Sequence, residues 1–146
     1  MNDPKVVMVM EPRQARVVVK ALDNYGRMGM IQLDAAVGEF LRVHYWDPNA
    51  NSAEEHHKWE EIERHIASIK RLLGQPTNGS LGIRGAPAVC REAYDIQQVI
   101  RKAIADNENL DGVWAHDYMP THREWPKIQA FYRTRPEEPT EADLRG

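Results

Sequence analysis

The strongest constraint on how this chain folds is the segment of residues 80–104, where a glycine-punctuated loop leads into an amphipathic helix. Pro87 suits the first turn of that helix, because its missing N–H costs nothing there and its fixed φ matches helical backbone. Helix entry is therefore expected near Ala86. Apolar residues then recur at helical spacing as one stripe, which consists of Val89, Ala93, Ile96, Ile100 and Ala103 or Ile104. The polar residues expected off this stripe are Arg91, Asp95, Gln98, Arg101 and Lys102.

The loop before the helix carries the elements of an anion site. Gly82, Arg84 and Gly85 lie at the expected helix mouth, where free backbone N–H groups and the positive end of the helix dipole favour a phosphate. The alternative is that the two glycines only turn the chain and that Arg84 is solvated. Both interpretations stay open at this point.

Length and tail composition predict the domain organisation. A chain of 146 residues can bury a core as one domain, which we place at residues 1–134. Residues 135–146 carry two prolines, several acidic residues and almost nothing apolar. We expect them to form a disordered acidic tail.

Charge and hydropathy exclude several classes of partner. The formal net charge of −3 provides no basic field for a nucleic-acid polymer, and the longest apolar run, Val6–Met10, is too short to span a membrane. The single cysteine, Cys90, excludes an intramolecular disulfide and fits a reducing compartment. No secretory signal pattern is visible. These features predict a soluble cytoplasmic protein.

The order of elements predicts an α+β fold. Lys5–Met10, KVVMVM, is apolar and rich in β-branched residues and predicts a buried strand. Two further short strands are predicted at Val113–Met119 and Ile128–Arg133, with about four helices between the first strand and these two. We therefore expect a small antiparallel sheet, made of the N-terminal strand and the two C-terminal strands, with the helices covering it.

Capping and breaking residues predict where the earlier helices begin and end. The first helix opens at Pro12 and is expected to end at Asn24, before a glycine-rich joint over residues 24–32. For the long helix that follows, Ser52 is the expected N-cap with Glu55 completing a capping box, and Gly74 is the expected stop.

Three residues on the long helix have the spacing of metal ligands. His57, Glu61 and His65 share one face, as the site of a metal-dependent nucleotide hydrolase would require. A solvated face of a highly charged helix explains the same residues, so we expect no metal. The sequence also carries no G-x-S-x-G elbow, Walker loop or dinucleotide fingerprint.

Arginines beside glycines are the remaining candidates for ligand binding. Arg27 lies between Gly26 and Gly29, as Arg84 lies between its two glycines, and Arg101 lies further along the last helix. A guanidinium group binds phosphate through two parallel hydrogen bonds, and glycine lets a ligand approach the backbone closely. This pattern favours a site for a phosphate-bearing ligand.

Two blocks have a recognisable pattern, and the stretch from the first to the second, residues 22–101, covers about half of the chain. The first is matched by Leu22, Asp23, Tyr25, Arg27 and Gln32. The second, a Ser-x-Gly-Ile loop followed by an Ala-Tyr-Asp-Ile-x-x-Val-Ile-Arg helix, is matched by Ser80, Gly82, Ile83 and residues 93–101. In these blocks the chain resembles the first Thoeris anti-defence family, phage sponges that bind glycocyclic ADP-ribose signals without cleaving them.

The resemblance implies a viral protein that sequesters a cyclic nucleotide immune signal in the host cytoplasm, with no enzymatic activity and no cofactor. It implies a homo-oligomer, either a dimer or a hexamer built from dimers, with pockets lying partly between protomers. The ligand-binding residues that it implies are Arg84, Arg101, Gly82, Tyr94, Arg27 and Gln32. Arg27 and Gln32 belong to a second type of site, which holds cyclic oligonucleotides in some members. Arg84 stands where the family carries an amide, which leaves the ligand's base open.

Two other functions remain as alternatives. A phage protein of this size could inhibit a host protein by direct binding, with Trp46, Trp114 and Trp125 as anchors. The metal-dependent hydrolase that uses the histidines of the long helix is the second.

Overall fold

The structure, a computed structural model, describes residues 5–110 and residue 130. Every regular element in these residues is helical. The elements are α1 (Pro12–Gly29), a π-helical segment (Asp34–Glu39) that continues into α2 (Phe40–Tyr45), α3 (Ser52–Leu72), the short α4 (Gly82–Gly85) and α5 (Ala88–Glu108).

The prediction of an α+β fold is wrong. Lys5–Met10 has no regular structure, and the side chains before Met10 face solvent, with Val6 89% and Met8 70% exposed. β-branched residues favour a strand when neighbouring chains pair with it and cover it, and within the described residues no strand lies beside this segment. The C-terminal strands predicted at Val113–Met119 and Ile128–Arg133, and the predicted tail, lie outside the described residues, apart from Ala130, which is not in a strand.

The core forms where α1 and α5 pack along each other. Ala15 and Val19 of α1 lie against Ile104 of α5, and this cluster is extended by Met10, Ile100 and Leu110. Each helix therefore buries its apolar stripe against the other. This direct pairing explains why the helices need no sheet to cover them.

Two glycines of α1 lie at this interface. A Cβ at Gly29 would overlap the side chain of Cys90, whereas a Cβ at Gly26 would lie 3.6 Å from the Cβ of Tyr94, which is ordinary contact. Because the glycines serve helix packing, α1 continues through both and ends beyond Asn24, the predicted end. The chain turns instead at Ile31, where φ is +60°.

The start of α3 also differs from the prediction. Asn51 is the N-cap, and its Oδ1 accepts hydrogen bonds from the N–H groups of Ala53 (2.9 Å) and Glu54 (3.3 Å). The prediction of a Ser52 cap is therefore wrong by one residue, and Glu55 bonds to the indole of Trp59 rather than back to the cap. The predicted stop is confirmed, since Gly74 follows the helix with φ +70°.

Helix α5 begins at Ala88, so Pro87 is its N-cap, whereas the sequence predicted that it lies in the first turn. The helix is buried over a wider arc than its apolar stripe. Ala93 and Ile104 of the stripe are buried, whereas Val89 is 55% exposed. Polar residues off the stripe are buried as well, with Asp95 1% and Arg101 8% exposed. On this helix, a residue that lies off the apolar stripe is therefore not necessarily exposed to solvent.

Within residues 5–110, no helix combines the length and apolar character needed to cross a membrane.

Candidate functional site

The structure brings the two sequence blocks together where the end of α1 meets the loop before α4. Arg27 Nη1 donates to Gln32 Oε1 (3.3 Å), and Gln32 Nε2 donates to Ser80 Oγ (3.1 Å). Gln32 and Ser80 are 48 residues apart in the chain. We call Asp23, Arg27, Gln32 and Ser80 the junction site.

Ser80 fixes the loop side of the junction site. Its hydroxyl donates to the Met30 carbonyl (3.2 Å) and accepts from the N–H of Gly82 (3.1 Å) as well as from Gln32. The backbone adds a second link, because the N–H of Leu81 donates to the same Met30 carbonyl (2.9 Å). The loop is thus held at a defined distance from α1.

Arg27 is held in one orientation but remains accessible. Its Nε donates to Asp23 Oδ2 (2.9 Å), one helical turn earlier, while its side chain keeps 41% of its surface exposed. The hydrogen bond that Arg27 donates to Asp23 raises the pKa of Arg27 more than burial lowers it, so the group is a permanent cation. A guanidinium carries five N–H donors, and Asp23 and Gln32 engage only part of them. The exposed donors can bind an anion.

Tyr94 lies beside the same end of α1. Its side chain approaches Gly26, where an added Cβ would lie 3.7 Å from the ring carbon Cδ2. The partly buried Tyr94 therefore adds an aromatic ring to the surroundings of Arg27. An arginine with a neighbouring aromatic ring is a combination that suits a phosphate attached to a base.

Lys70 of α3 contacts two residues that are close in the chain to Ser80 and Gln32 of the junction site, and the sequence did not single it out. It is 2% exposed, its Nζ donates to the carbonyl of Gly79 (3.0 Å), and it lies 3.5 Å from Asp34 Oδ2. Gly79 directly precedes Ser80, and Asp34 follows Gln32 by two residues. The buried residues of α3 recur at helical spacing, and they are Glu55, Trp59, Ile66 and Lys70. Lys70 follows Trp59 and Ile66 at this spacing, which could have identified it as a residue of the buried face.

The other predicted ligand residues are distributed over a larger distance. Gly82 lies at the junction with φ +68° and open space around its Cα, while Arg84 is exposed on α4. Arg101 lies more than three turns into α5, about 20 Å from its first residue at 1.5 Å per residue, and is buried. The structure therefore groups Arg27, Gln32, Gly82 and Tyr94 and does not bring Arg101 to Arg84 within the chain.

The three residues with the spacing of metal ligands lie on the outer face of α3. His57 and His65 are exposed, and Glu61 pairs with Arg64. Within residues 5–110, no cluster of three or more histidine, cysteine or carboxylate side chains has the arrangement of a metal site.

A concave surface lies apart from Arg27, Gln32 and Ser80, between the π-helical segment, α2 and α3, with a volume of about 410 Å³. Arg42 crosses it, with its guanidinium 5.8 Å from the ring of Trp59 and 2.9 Å from Glu63 Oε1. Trp46, a predicted protein-binding anchor, stacks on Trp59 at 6.2 Å between ring centroids. Both tryptophans therefore serve to pack α2 against α3. The other two predicted anchors, Trp114 and Trp125, lie outside the described residues.

The chain matches no protein-family model, no curated protein and no solved structure.

Proposed function

We propose that this protein binds and sequesters a phosphate-bearing cyclic nucleotide, without cleaving it, and that the junction site is part of the binding surface. The observation that carries the proposal is the hydrogen-bonded chain from Asp23 through Arg27 and Gln32 to Ser80. It unites the two blocks by which the sequence resembles the Thoeris sponges. An anti-defence role in the host cytoplasm and assembly as a homo-oligomer rest on that resemblance.

Each residue of the junction site has a binding role in this proposal. Arg27 donates hydrogen bonds to a phosphate, and its fixed orientation reduces the entropy lost on binding. Gln32 offers the remaining N–H of its amide to the ligand. Tyr94 provides an aromatic surface for a base, and Ser80 holds the loop in place. Sequestration requires affinity alone, so none of these residues needs to act as an acid, a base or a nucleophile.

The test is retention of nucleotide by the purified protein. The protein is incubated with cyclic ADP-ribose isomers and cyclic oligonucleotides and then filtered and heated, and the released compounds are identified by chromatography. Intact nucleotide that appears only after heating supports sequestration. A converted product would contradict it in favour of an enzyme, and nucleotide that stays free throughout would contradict ligand binding.

The substitution Arg27→Gln tests whether the junction site binds the nucleotide. A hydrogen bond to a charged group contributes about 1.5–3 kcal/mol, so we expect at least about tenfold weaker retention. Arg13→Gln is the matched control, because Arg13 is an exposed arginine at the opposite end of α1. Equal retention by both variants would remove the junction site from the binding surface.

A second candidate is direct binding of a protein, and one observation favours it. The N-terminal segment exposes apolar side chains, with Val6 89%, Met8 70% and Val9 68% exposed. Exposed apolar surface of this kind is typical of interaction sites. In the retention assay this function gives free nucleotide throughout, and co-purification of a partner that is lost when residues 1–9 are removed would support it.

A further inference from the structure

Lys70 is the most deeply buried cation among the described residues. Its side chain is 2% exposed, and its ammonium contacts both the Gly79 carbonyl and the Asp34 carboxylate. Gly79 is next to Ser80 of the junction site. Removing an ammonium from water is costly unless partners compensate for the lost hydration. The position therefore requires an explanation.

The two partners of Lys70 leave part of the hydrogen-bonding capacity of its ammonium group unused. An ammonium group has three N–H donors, and one of them makes a hydrogen bond of 3.0 Å to the Gly79 carbonyl. Asp34 Oδ2 is 3.5 Å away, which is longer than the usual 2.7–3.2 Å of a hydrogen bond. Lys70 is thus paired with a carboxylate at ion-pair distance and could form a closer contact with another anion.

The two members of this ion pair differ in freedom of movement. Lys70 is fixed by its burial, whereas the side chain of Asp34 is 63% exposed. An ion pair with one exposed member is held weakly, and the exposed member can rotate into water at little cost. Of the two groups, Asp34 is therefore the one that can be displaced.

We infer that Lys70 is an anion-binding residue of the junction site and that Asp34 occupies the place of the anion in the ligand-free protein. This inference rests on the proposed function, to which it adds a second cation, next to the loop residue Gly79 that precedes Ser80. A phosphate oxyanion of the ligand replaces the Asp34 carboxylate, which turns into solvent. No covalent bond forms or breaks.

The experiment measures the binding of inorganic pyrophosphate by titration calorimetry at low ionic strength. Lys70→Met keeps the length of the side chain but removes its charge, and we expect about tenfold weaker binding, as for the loss of about 1.4 kcal/mol. Asp34→Asn removes the competing carboxylate, and we expect several-fold tighter binding. Glu61→Gln is the matched control for Asp34→Asn, because it removes one negative charge from α3 outside the junction site.

Opposite effects from the two members of one ion pair separate ligand binding from a structural role. If the Lys70–Asp34 pair only joins α3 to the π-helical segment, both variants bind pyrophosphate equally well or both bind it more weakly, and either result overturns the inference. If Lys70→Met does not fold, Asp34→Asn decides alone, because tighter binding supports the inference and unchanged or weaker binding refutes it.

The two proposals can fail separately. Retention of cyclic nucleotide with no effect of either substitution on pyrophosphate would refute the role of Lys70 and leave sequestration intact. Opposite effects on pyrophosphate in a protein that retains no cyclic nucleotide would support the role of Lys70 and refute sequestration.

Discussion

Among the glycines of the described residues, Gly29 has the least room for a side chain. It lies where α1 ends against the start of α5, and a Cβ at this position would overlap both Cβ and Sγ of Cys90 and approach Pro87 Cδ at 3.4 Å. Cys90 is buried with Met30 and Ala86, so it has little room to move away. The contact at Gly29 therefore sets how closely the two helices approach.

Gly29→Ala tests this contact. We expect a loss of about 1–3 kcal/mol in the free energy of unfolding, because overpacking forces side chains or helices apart. The measurement is urea denaturation followed by circular dichroism. Gly26→Ala is the control: its Cβ has only ordinary contacts, so the better helix propensity of alanine should leave stability unchanged or raise it by up to about 1 kcal/mol. Equal effects of the two substitutions would contradict the packing described above.

Glu55 predicts a dependence of stability on acid. Its carboxylate accepts from Lys58 and, at 2.9 Å, from the indole N–H of Trp59. The hydrogen bond from Lys58, followed by that from Trp59, outweighs burial and lowers the pKa of Glu55 in the folded protein. The ionised group therefore stabilises the fold above the pKa of the unfolded chain, about 4.3, and this contribution disappears as the pH falls through the folded pKa.

Glu55→Gln should reduce the loss of stability between about pH 6 and about pH 3.5. The urea midpoint is measured at both pH values for the wild type and the variant. Glu54→Gln, the exposed neighbour in the same helical turn, should keep the pH dependence of the wild type. A Glu55 variant that loses as much stability in acid as the wild type would show that this carboxylate does not contribute.

At the scale of elements, the beginning of α3 shows how a local pattern is predicted correctly in kind but not in position. Asn51 and Ser52 are adjacent and both are good capping residues. Only the backbone geometry decides that Asn51 lies outside the helix and accepts the two N–H bonds. The sequence therefore predicts a capped helix here, and the structure assigns the cap.

Asn51→Ala should lower the free energy of unfolding by about 1 kcal/mol, the usual effect of removing an N-cap side chain. Ser52→Ala, one residue later, should change it by less than about 0.5 kcal/mol, as for other exposed positions. Thermal or urea unfolding of both variants measures the difference. A larger loss from Ser52→Ala would show that the predicted cap was right after all.

The periodicity of apolar residues predicts that α5 is a helix, but it does not predict which sides of the helix are buried. The pattern of Ala93 and Ile104 correctly predicted one packed face. It could not predict the burial of Asp95 and Arg101, because hydropathy assigns polar side chains to solvent and carries no information on how many sides of a helix are covered. Arg101 is therefore a poor residue with which to test ligand binding, since its loss also affects a buried part of the fold.

At the scale of the whole molecule, the observed helical fold differs from the predicted fold at the N-terminal segment, which was expected to be a strand of a sheet. Lys5–Val9 precedes the first residue of the core, Met10, and its side chains are exposed. Deleting residues 1–9 should change the free energy of unfolding by less than about 0.5 kcal/mol, as for other changes away from the core. Urea denaturation of the shortened chain measures this. A loss of cooperative unfolding would mean that the segment belongs to the core.

The candidate site was predicted in part. The two blocks named Arg27, Gln32 and Gly82, which the structure groups together through Ser80. The grouping itself depends on the packing of α1 against α5 and on the turn at Ile31, and neither is visible in local spacing. The fold class was wrong for a related reason, because the composition of Lys5–Met10 favours a strand without showing whether a partner strand exists.

The pairing of α1 with α5 has a consequence for synthesis. Arg16 pairs with Glu108, 92 residues later in the chain, at the same end of the interface where Ala15 and Val19 meet Ile104. Helix α1 leaves the ribosome before α5, which supplies most of the contacts of α1 with other elements, has been translated. Contacts between such distant segments form late and slowly. The nascent chain therefore passes through a long interval in which α1 is open to chaperones and to aggregation, and folding is completed only after α5 emerges.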